Sequence, residues 1–437
     1  MSLSETLRAR IDDRSAVVGV VGLGYVGLPF AVEKAKVGFH VIGVDQNPQR
    51  VAQVNNGENF IGDVDDVQFA ELVGSGLIEA VADFSRVPEM DVIVIAVPTP
   101  LTKNLTPDLR YVESVTRSIA PLLRPGQLVS LESTTYPGTT EEIMLPILAA
   151  GGLKVDEDFF LAHSPERVDP GNKRYSPKNT TKVVGGVGPN SLAIAAHFYA
   201  ATISKVVTVS SARAAELVKV FENTYRAVNI ALVNELMLLC DRMDLNVWEV
   251  LDAAFTKPFG IQPFYPGPGV GGHCIPLDPH YLEWKAREYN FSTRFIALAG
   301  EINRRMPEFV RHKLLRILGR AGVPARGAVA LVMGVAYKRD LDDARESPAI
   351  DVIELLLLEG VDVLYHDPFV PTLDVGGRSL SSVELTDAEL RDADIVIITT
   401  DHSAFDYNRI CALAKRVLDT RNATKGVTDP TAEVTLL

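Results

Sequence analysis

Cysteine is scarce in this chain of 437 residues, and positive charge is in the minority. The three cysteines, Cys240, Cys274 and Cys411, lie far apart without C-x-x-C spacing, which argues against a disulfide framework or a cysteine-rich zinc site. Lys and Arg number 43 against 56 Asp and Glu, and the net charge of −13 argues against a protein that mainly coats nucleic acid or an anionic membrane. We expect no metal, no nucleic-acid partner and a reducing compartment.

An unbroken apolar run of membrane-spanning length is also missing. The two long uncharged stretches, Ser15 to Val32 and Val183 to Ser204, each contain several glycines and a proline, which is typical of strand, turn and helix. The first residues, MSLSETLRARIDD, contain no apolar signal core. These features predict a cytoplasmic protein without a membrane partner.

The remaining composition predicts a folded α/β protein. Hydrophobic residues make up 47% and charged residues 23%, which is ordinary globular usage, and the length suggests about three compact units. Short apolar runs alternate with helix-length segments over the first 208 residues and again over the last 110 or so. We predict two Rossmann-like doubly wound domains, 1–208 and 319–437, joined by a central helical region, 209–318, with one long helix.

A glycine motif provides the strongest local signal. Gly22, Gly24 and Gly27 form G-x-G-x-x-G between a predicted strand and a predicted helix, and Asp45 ends the next predicted strand. This context predicts a dinucleotide site in which the helix N-terminus receives the pyrophosphate and Asp45 accepts hydrogen bonds from a ribose. Because a carboxylate repels a 2′-phosphate, NAD is preferred to NADP. The C-terminal domain lacks the three-glycine turn and is expected to hold a different ligand.

The central region carries a second group of polar residues. Residues 211–240 contain neither Gly nor Pro and predict one long helix, on which Glu216, Lys219 and Asn223 share a face. That face can bind an oxyanion or simply be solvated. The loop 256–279 contains Cys274, which is either a nucleophile or an inert buried thiol, and His273, for which a catalytic role is disfavoured because adjacent side chains point apart.

Two further candidates follow predicted strands of the first domain. Thr134 in ESTTYPGTT and Glu166 in HSPERVDPG are expected at the carboxyl edge of the sheet, where doubly wound folds bind ligands. Thr139 and Thr140 are interpreted as caps of the following helix.

Taken in order, the glycine motif, ESTTYPGTT, SPER, AELVKVFEN, GPGVGGHCIPLDP and AYKRDLDDARESP resemble the UDP-glucose/GDP-mannose dehydrogenase family over essentially the whole chain. The resemblance implies an NAD domain, a central dimerisation region and a C-terminal nucleotide-sugar domain. It also implies oxidation of a sugar C6 alcohol to a carboxylate by two NAD molecules, through a cysteine thiohemiacetal and thioester. SPERVDPG and Leu277-Asp278 resemble the branch that oxidises UDP-N-acetylhexosamines for surface polysaccharide synthesis, and UDP-N-acetylglucosamine is the expected substrate.

The resemblance also assigns site residues. Cys274 matches the nucleophile, Lys219 and Asn223 the oxyanion pair, Asp278 the carboxylate near the cysteine, and Thr134 with Glu166 the residues that hold a catalytic water. The residues expected to bind NAD are Gly22, Gly24, Tyr25, Val26, Gly27, Asp45, Arg50, Thr99, Thr134 and Arg345. The residues expected to bind the substrate are Glu166, Arg167, Lys219, Asn223, Gly271 and Lys338.

Three alternatives remain open at this point. The substrate can be the manno or galacto epimer, because the stereochemistry of one carbon depends on pocket shape and not on motifs. A two-electron hydroxyacid dehydrogenase shares the Rossmann domain followed by helices but needs no thiol. A non-catalytic nucleotide-sugar sensor would retain the fold alone. A homodimer or higher homo-oligomer is expected in each case.

Overall fold

The fold is described from a computed structural model, which covers residues 1–62, 64–102, 104–167, 178–272 and 274–437. The chain divides into two compact units. The first comprises Met1–Glu222 and His280–Phe291, and the second comprises Asn223–Pro279 and Ser292–Leu437. The predicted division into three segments at residues 208 and 318 stays a prediction.

The first unit is built on an eight-stranded sheet with the strand order β3-β2-β1-β4-β5-β6-β7-β8. Neighbouring strands are parallel except β6 and β7. The strands are β1 Val17–Val21, β2 His40–Val44, β3 Ile78–Val81, β4 Val92–Ile95, β5 Leu128–Leu131, β6 Phe160–His163, β7 Lys182–Gly186 and β8 Val206–Val209. The runs of Val, Ile and Leu in the inner strands β4 and β5 are buried on both faces, as parallel strands require, whereas β8 at the edge is half-buried to exposed.

Helices cover both faces of this sheet. They are α1 Leu3–Asp12, α2 Gly27–Lys36, α3 Pro48–Asn55, α4 Asp66–Gly74, α5 Arg110–Ile119, α6 Leu145–Leu148 and α7 Pro189–Ala200. Separate hydrophobic clusters, one including Phe39 and Phe198 and the other Ile93 and Leu131, form the cores on the two sides. The predicted doubly wound sheet is confirmed, whereas β3 and β8 were not predicted.

A series of helices lies between the two sheets along the chain. The predicted helix at 211–240 is confirmed as α8, Ala212–Met243, and the Ser211 hydroxyl accepts the Ala214 amide 3.1 Å away as its N-terminal cap. It is followed by α9 Val247–Ala254, α10 Asp278–Ala286 and α11 Arg294–Arg320. The described residues between α9 and α10 form neither helix nor strand, as their prolines and glycines predict.

The second unit repeats the Rossmann plan. Its parallel sheet has the order β10-β9-β13-β14-β15, which matches β2-β1-β4-β5-β6 of the first sheet. Its elements are β9 Val329–Met333, α12 Pro348–Leu358, β10 Asp362–His366, the hairpin of β11 Thr372–Val375 and β12 Arg378–Ser381, α13 Asp387–Asp392, β13 Ile395–Ile398, α14 Tyr407–Leu413, β14 Arg416–Asp419 and β15 Glu433–Leu436. The predicted fold class, two Rossmann-like domains with a central helical region, is confirmed.

Candidate active site

The glycine turn between β1 and α2 has the geometry of a dinucleotide cradle. Gly22 has a φ of +93°, and a Cβ atom there would lie 2.4 Å from the Ala96 carbonyl oxygen. A Cβ atom on Gly27 would lie 1.8 Å from the Gly22 carbonyl oxygen, so the helix can pack on the strand only without a side chain. A Cβ atom on Gly24 would contact nothing within 4 Å, and this open position fits the close approach of a pyrophosphate.

Asp45 ties this turn to the end of β2. Its carboxylate, which is buried, accepts the Leu23 amide at 3.0 Å and the Asn47 amide at 2.9 Å. Nη1 of Arg50 lies 3.6 Å from Oδ2 of Asp45. Because a carboxylate has about four acceptor sites, Asp45 retains capacity for ribose hydroxyls. Asp45 and Arg50, both predicted to bind NAD, are therefore brought together beside the glycine turn, with Tyr25 exposed and Val26 half-buried within it.

The ends of β4 and β5 are joined at the same edge of the sheet. The Thr99 hydroxyl donates to the Thr134 carbonyl oxygen at 2.7 Å, and the Val97 amide donates to the Ser133 hydroxyl at 3.0 Å. This second bond helps end the strand at Ile95, although the apolar run predicts a strand to Val97. The predicted cofactor residues Thr99 and Thr134 thus lie side by side.

Glu166 belongs to a buried charge cluster that the sequence did not reveal. Nζ of Lys182, at the start of β7, lies 3.0 Å from Oε2 of Glu166 and 3.1 Å from Oε2 of Glu132. Burial raises the pKa of Glu132 to about 7, against the opposite influence of Lys182. Burial alone would lower the pKa of Lys182, but the two carboxylates outweigh it and raise the pKa. The sole sequence signal for Glu132 is its place directly after the β5 run.

Arg167 is anchored beside this cluster. Its guanidinium donates to both carboxylate oxygens of Glu222 on α8, at 2.5 and 3.2 Å, and Nη1 donates to the Thr181 carbonyl oxygen at 2.5 Å. Such a bidentate pair fixes the orientation of the side chain. The remainder of the predicted SPERVDPG motif, residues 168–171, lies outside the described residues.

Glu216 supports the segment that follows Thr134. Its buried carboxylate accepts the Gly138 amide at 2.5 Å, and the Thr140 amide and hydroxyl at 2.8 and 2.6 Å. Burial raises the pKa of Glu216 to about 7, although these hydrogen bonds oppose the change. The prediction that Thr139 and Thr140 cap the following helix was wrong, because the Thr139 hydroxyl donates to the Tyr136 carbonyl oxygen and Glu216 takes the capping role. Lys219, one turn along α8, is half-buried.

The second unit brings three predicted catalytic residues together. Cys274 is half-buried, and its carbonyl oxygen accepts the Asp278 amide at 2.8 Å where α10 begins. Nδ2 of Asn223, on α8, donates to Oδ2 of Asp278 at 2.5 Å, and both side chains are buried. Their burial contradicts the interpretation of this part of α8 as a solvated face. His273 lies outside the described residues.

The cysteine loop packs against the segment that follows β9. A Cβ atom on Gly271 would lie 2.8 Å from Cβ of Tyr337 and 2.9 Å from the Glu346 carbonyl oxygen. Gly271 therefore permits close contact with the segment that contains Lys338, its predicted partner in substrate binding. The Arg345 guanidinium makes a bidentate pair with Asp343, at 2.9 and 2.7 Å.

The predicted catalytic residues are divided between the two units. Thr134, Glu166 and Lys219 belong to the first, whereas Asn223, Cys274 and Asp278 belong to the second. The structure brings together neighbours within each set, and the assignment of all of them to one active site stays a prediction. Among the described residues, no cluster of His, Cys, Asp and Glu could hold a metal ion.

Comparison with known protein families finds three matches in chain order. Residues 16–203 match the NAD binding domain of the UDP-glucose/GDP-mannose dehydrogenase family, 213–305 its central domain and 331–426 its UDP binding domain. A search for helices long and apolar enough to span a membrane found none in the part of the chain that the structure describes.

Individual relatives span nearly the whole chain. An NDP-N-acetyl-D-galactosaminuronic acid dehydrogenase of Ralstonia nicotianae is 37% identical, covering 94% of this chain and 97% of the relative. A UDP-N-acetyl-D-glucosamine 6-dehydrogenase of Pseudomonas aeruginosa is 36% identical, covering 82% and 84%. The solved structure of a UDP-N-acetyl-D-mannosamine dehydrogenase from Pyrococcus horikoshii has a TM-score of 0.87 at 32% identity, covering 96% and 98%.

Proposed function

The chain belongs to the UDP-glucose/GDP-mannose dehydrogenase family and matches its NAD binding and UDP binding domains, and we propose that it oxidises the C6 alcohol of UDP-N-acetylglucosamine to a carboxylate. The product, UDP-N-acetylglucosaminuronic acid, is assigned to surface polysaccharide synthesis. The observation that carries the proposal is the arrangement of Cys274, Asp278 and Asn223 in the second unit. The half-buried Cys274 lies in the same turn as Asp278, whose carboxylate orients the Asn223 amide on α8.

The proposed chemistry uses a thiol because the second hydride must leave a tetrahedral carbon that carries an anionic oxygen, and addition of a thiolate to the aldehyde creates that centre while it keeps the sugar bound. The first oxidation removes a hydride from C6 and a proton from the hydroxyl. The Cys274 thiolate then adds to the aldehyde carbon to form a thiohemiacetal, and loss of a second hydride gives a thioester. Water hydrolyses the thioester to the carboxylate and the free thiol. Bound NAD supplies the hydride acceptor for each oxidation.

Asn223 is proposed to stabilise the oxyanion of the thiohemiacetal. Its amide nitrogen has two N–H donors, and Asp278 accepts from that nitrogen at 2.5 Å. An amide held in this way can direct its second N–H toward a developing negative charge without reorganising. Lys219 is proposed as the second member of the oxyanion pair, and Thr134 with Glu166 as the residues that hold water.

The N-acetylhexosamine class rests on Arg167 and on the relatives. Arg167 follows Glu166 directly, and its ion pair with Glu222 fixes the orientation of its guanidinium. The relatives described above are named for N-acetylated sugars of the gluco and galacto series, at 36% and 37% identity.

The manno epimer is the second candidate substrate. The structure with a TM-score of 0.87 is named as a UDP-N-acetyl-D-mannosamine dehydrogenase, and it covers 96% of this chain. The chemistry is the same for both candidates, since they differ in configuration at one sugar carbon.

We also propose a homodimer formed around α8. Six of its large hydrophobic side chains are more than two-fifths exposed in the single chain: Leu217, Phe221, Tyr225, Leu232, Leu239 and Met243. Exposed apolar residues in such number on one helix are typical of a protein contact. Light scattering of the purified protein should give twice the mass of 47.5 kDa, and a monomer would contradict this proposal. The expected cytoplasmic location stays a prediction.

The stoichiometry of NADH formation tests the proposed function. Purified protein is given limiting amounts of the gluco, manno and galacto UDP-N-acetylhexosamines, UDP-glucose and a 2-hydroxy acid. We expect two NADH per sugar and the fastest rate with the gluco epimer. A faster manno rate would transfer the assignment to the second candidate, one NADH per substrate would contradict the thiol mechanism, and binding without NADH would indicate a sensor.

A further inference from the structure

One buried ammonium group joins two carboxylates of the first unit. Nζ of Lys182 lies 3.1 Å from Oε2 of Glu132 and 3.0 Å from Oε2 of Glu166. The side chains of Lys182 and Glu132 are 5% and 0% exposed, whereas that of Glu166 is 20% exposed. Solvent and ligands therefore have access to Glu166 but not to Glu132.

The two carboxylates affect each other's charge. Both contact the same nitrogen atom, so their oxygens are separated by no more than two hydrogen-bond lengths. Two carboxylates at this distance share one cation, and ionisation of one disfavours ionisation of the other. The interaction is strong because Glu132 and Lys182 are shielded from water.

Glu132 also has an unusual local environment. Its second oxygen, Oε1, is buried and has no hydrogen-bond partner among the described residues. Its other oxygen contacts Lys182, and burial raises the pKa of Glu132 to about 7 against the influence of that lysine. Glu132 is thus a titratable group at the carboxyl end of β5, two residues before Thr134.

We propose that Glu132 is a positioning residue for the reaction and acts on the Glu166 carboxylate through Lys182. The proposal rests on the proposed function, because the role of Glu166 as a water-holding residue is assigned there. Lys182 contacts one oxygen of Glu166. When Glu132 is ionised, its negative charge offsets part of the electrostatic stabilisation that Lys182 gives to the Glu166 carboxylate. Glu132 itself touches neither substrate nor cofactor in this scheme.

Other titratable groups also face the cluster. Lys34 of α2, Tyr199 of α7 and His163 of β6 interact electrostatically with Glu132 or Lys182. Burial lowers the pKa of His163 to about 3 and raises that of Tyr199, so both are neutral near pH 7. Burial also lowers the pKa of Lys34 well below its usual value, so the charge of Lys34 changes with pH as well. Glu132, and not Lys34, shares the Lys182 nitrogen with Glu166.

Titration of Glu166 in the folded protein tests the inference. Glutamates are labelled with carbon-13 at the side-chain carboxyl, and the Glu166 signal is assigned by its loss in Glu166→Gln. We expect the Glu166 carboxyl to titrate about one pH unit lower in Glu132→Gln. The substitution removes a like charge, and Glu166 is then the one carboxylate of the pair that contacts Lys182. It should titrate higher in Lys182→Met and near the wild-type pH in Lys182→Arg. Glu157→Gln, at a side chain that is 68% exposed, is the matched control and should cause no change.

The pH profile of kcat/KM for a turned-over UDP-sugar provides the functional readout. Its acidic limb should move in the same direction as the Glu166 titration in each variant, a change that a merely structural role would not cause. An unchanged Glu166 titration in Glu132→Gln overturns the inference for any substrate, even if Lys182→Met does not fold. A shifted Glu166 titration with an unshifted pH profile overturns the positioning role of Glu132 in the reaction. If the Glu166 titration shifts but none of the UDP-sugars supports NAD reduction, the coupling between Glu132 and Glu166 is supported and the proposed function is refuted.

Discussion

Two buried lysines of the first unit are stabilised in different ways. Lys182 is paired with carboxylates, whereas Lys34 is surrounded by aromatic rings. Nζ of Lys34 donates to the Phe198 carbonyl oxygen and the Thr202 hydroxyl, both at 2.9 Å, and lies 3.7 Å from the centroid of the Phe198 ring. Burial without a paired carboxylate lowers the pKa of Lys34 well below its usual value.

This lowered pKa predicts a pH dependence of stability. Between the folded and the unfolded pKa of Lys34, the unfolded chain binds the extra proton, so stability rises with pH by up to about 1.4 kcal/mol per pH unit. We expect the unfolding temperature of the wild type to rise relative to that of Lys34→Met as the pH increases from 6 to 9. Lys36→Met, near the surface end of the same helix, should follow the wild type. A temperature difference independent of pH would contradict the prediction.

Asp45 is the residue that we predict to select NAD over NADP. Its carboxylate already holds the glycine turn, and a ribose diol would add charge-assisted hydrogen bonds. In Asp45→Asn, which keeps the size of the side chain, we expect the KM for NAD to rise about tenfold, the equivalent of about 1.4 kcal/mol. The ratio of NADP to NAD activity should also rise, because the charge that repels a 2′-phosphate is removed.

Steady-state kinetics with both cofactors measures these changes. Asp83→Asn, a surface carboxylate that binds the Ser85 amide, is the control and should leave both values unaltered. An unchanged KM for NAD in Asp45→Asn would show that Asp45 does not contact the ribose.

At the scale of elements, Glu216 links α8 to the segment after β5. Three hydrogen bonds converge on its carboxylate from Gly138 and Thr140. In Glu216→Gln the amide group faces at least one N–H donor, so a buried donor loses its acceptor. We expect a loss of about 1–3 kcal/mol in stability and faster hydrogen exchange at the amides of Gly138 and Thr140.

Hydrogen exchange read by mass spectrometry, together with denaturant unfolding, checks this expectation. Glu235→Gln, at an exposed position on the same helix, is the matched control. Unchanged exchange between residues 134 and 140 in Glu216→Gln would show that α8 does not hold this segment.

Local sequence patterns predicted most elements but not their cross-connections. The βαβ unit around Gly22 could be predicted because strand, turn and helix are adjacent in the chain. Glu132 and Lys182 could not be paired, since 50 residues separate them and their contact depends on the order of strands in the sheet. The same holds for Glu216, whose partners are 76 and 78 residues away. Thr140 follows a turn that resembles the start of a helix, so the local pattern predicted that Thr140 caps this helix. The cap comes instead from the distant Glu216.

At the scale of the whole molecule, one strand order serves two ligand-binding plans. In the first unit, Asp45 follows β2 and accepts the Leu23 amide of the turn after β1. In the second unit, Asp367 follows β10 and accepts the amides of Val335 and Ala336 at 2.6 and 3.1 Å. The same topological position thus carries an aspartate in both sheets, although the second turn lacks the three glycines. The first plan matches an NAD binding domain and the second a UDP binding domain.

The central claim is that a single thiol retains the sugar between two oxidations. Acid quenching during turnover, followed by mass spectrometry of the digested protein, measures this directly. The predicted result is an acyl adduct of the UDP-sugar on the peptide that contains Cys274, absent in Cys274→Ser, which should stop after the first oxidation, and retained when the buried Cys411 is replaced by Ala. Full production of the uronic acid by Cys274→Ser, with no adduct on the wild-type peptide, would contradict the account.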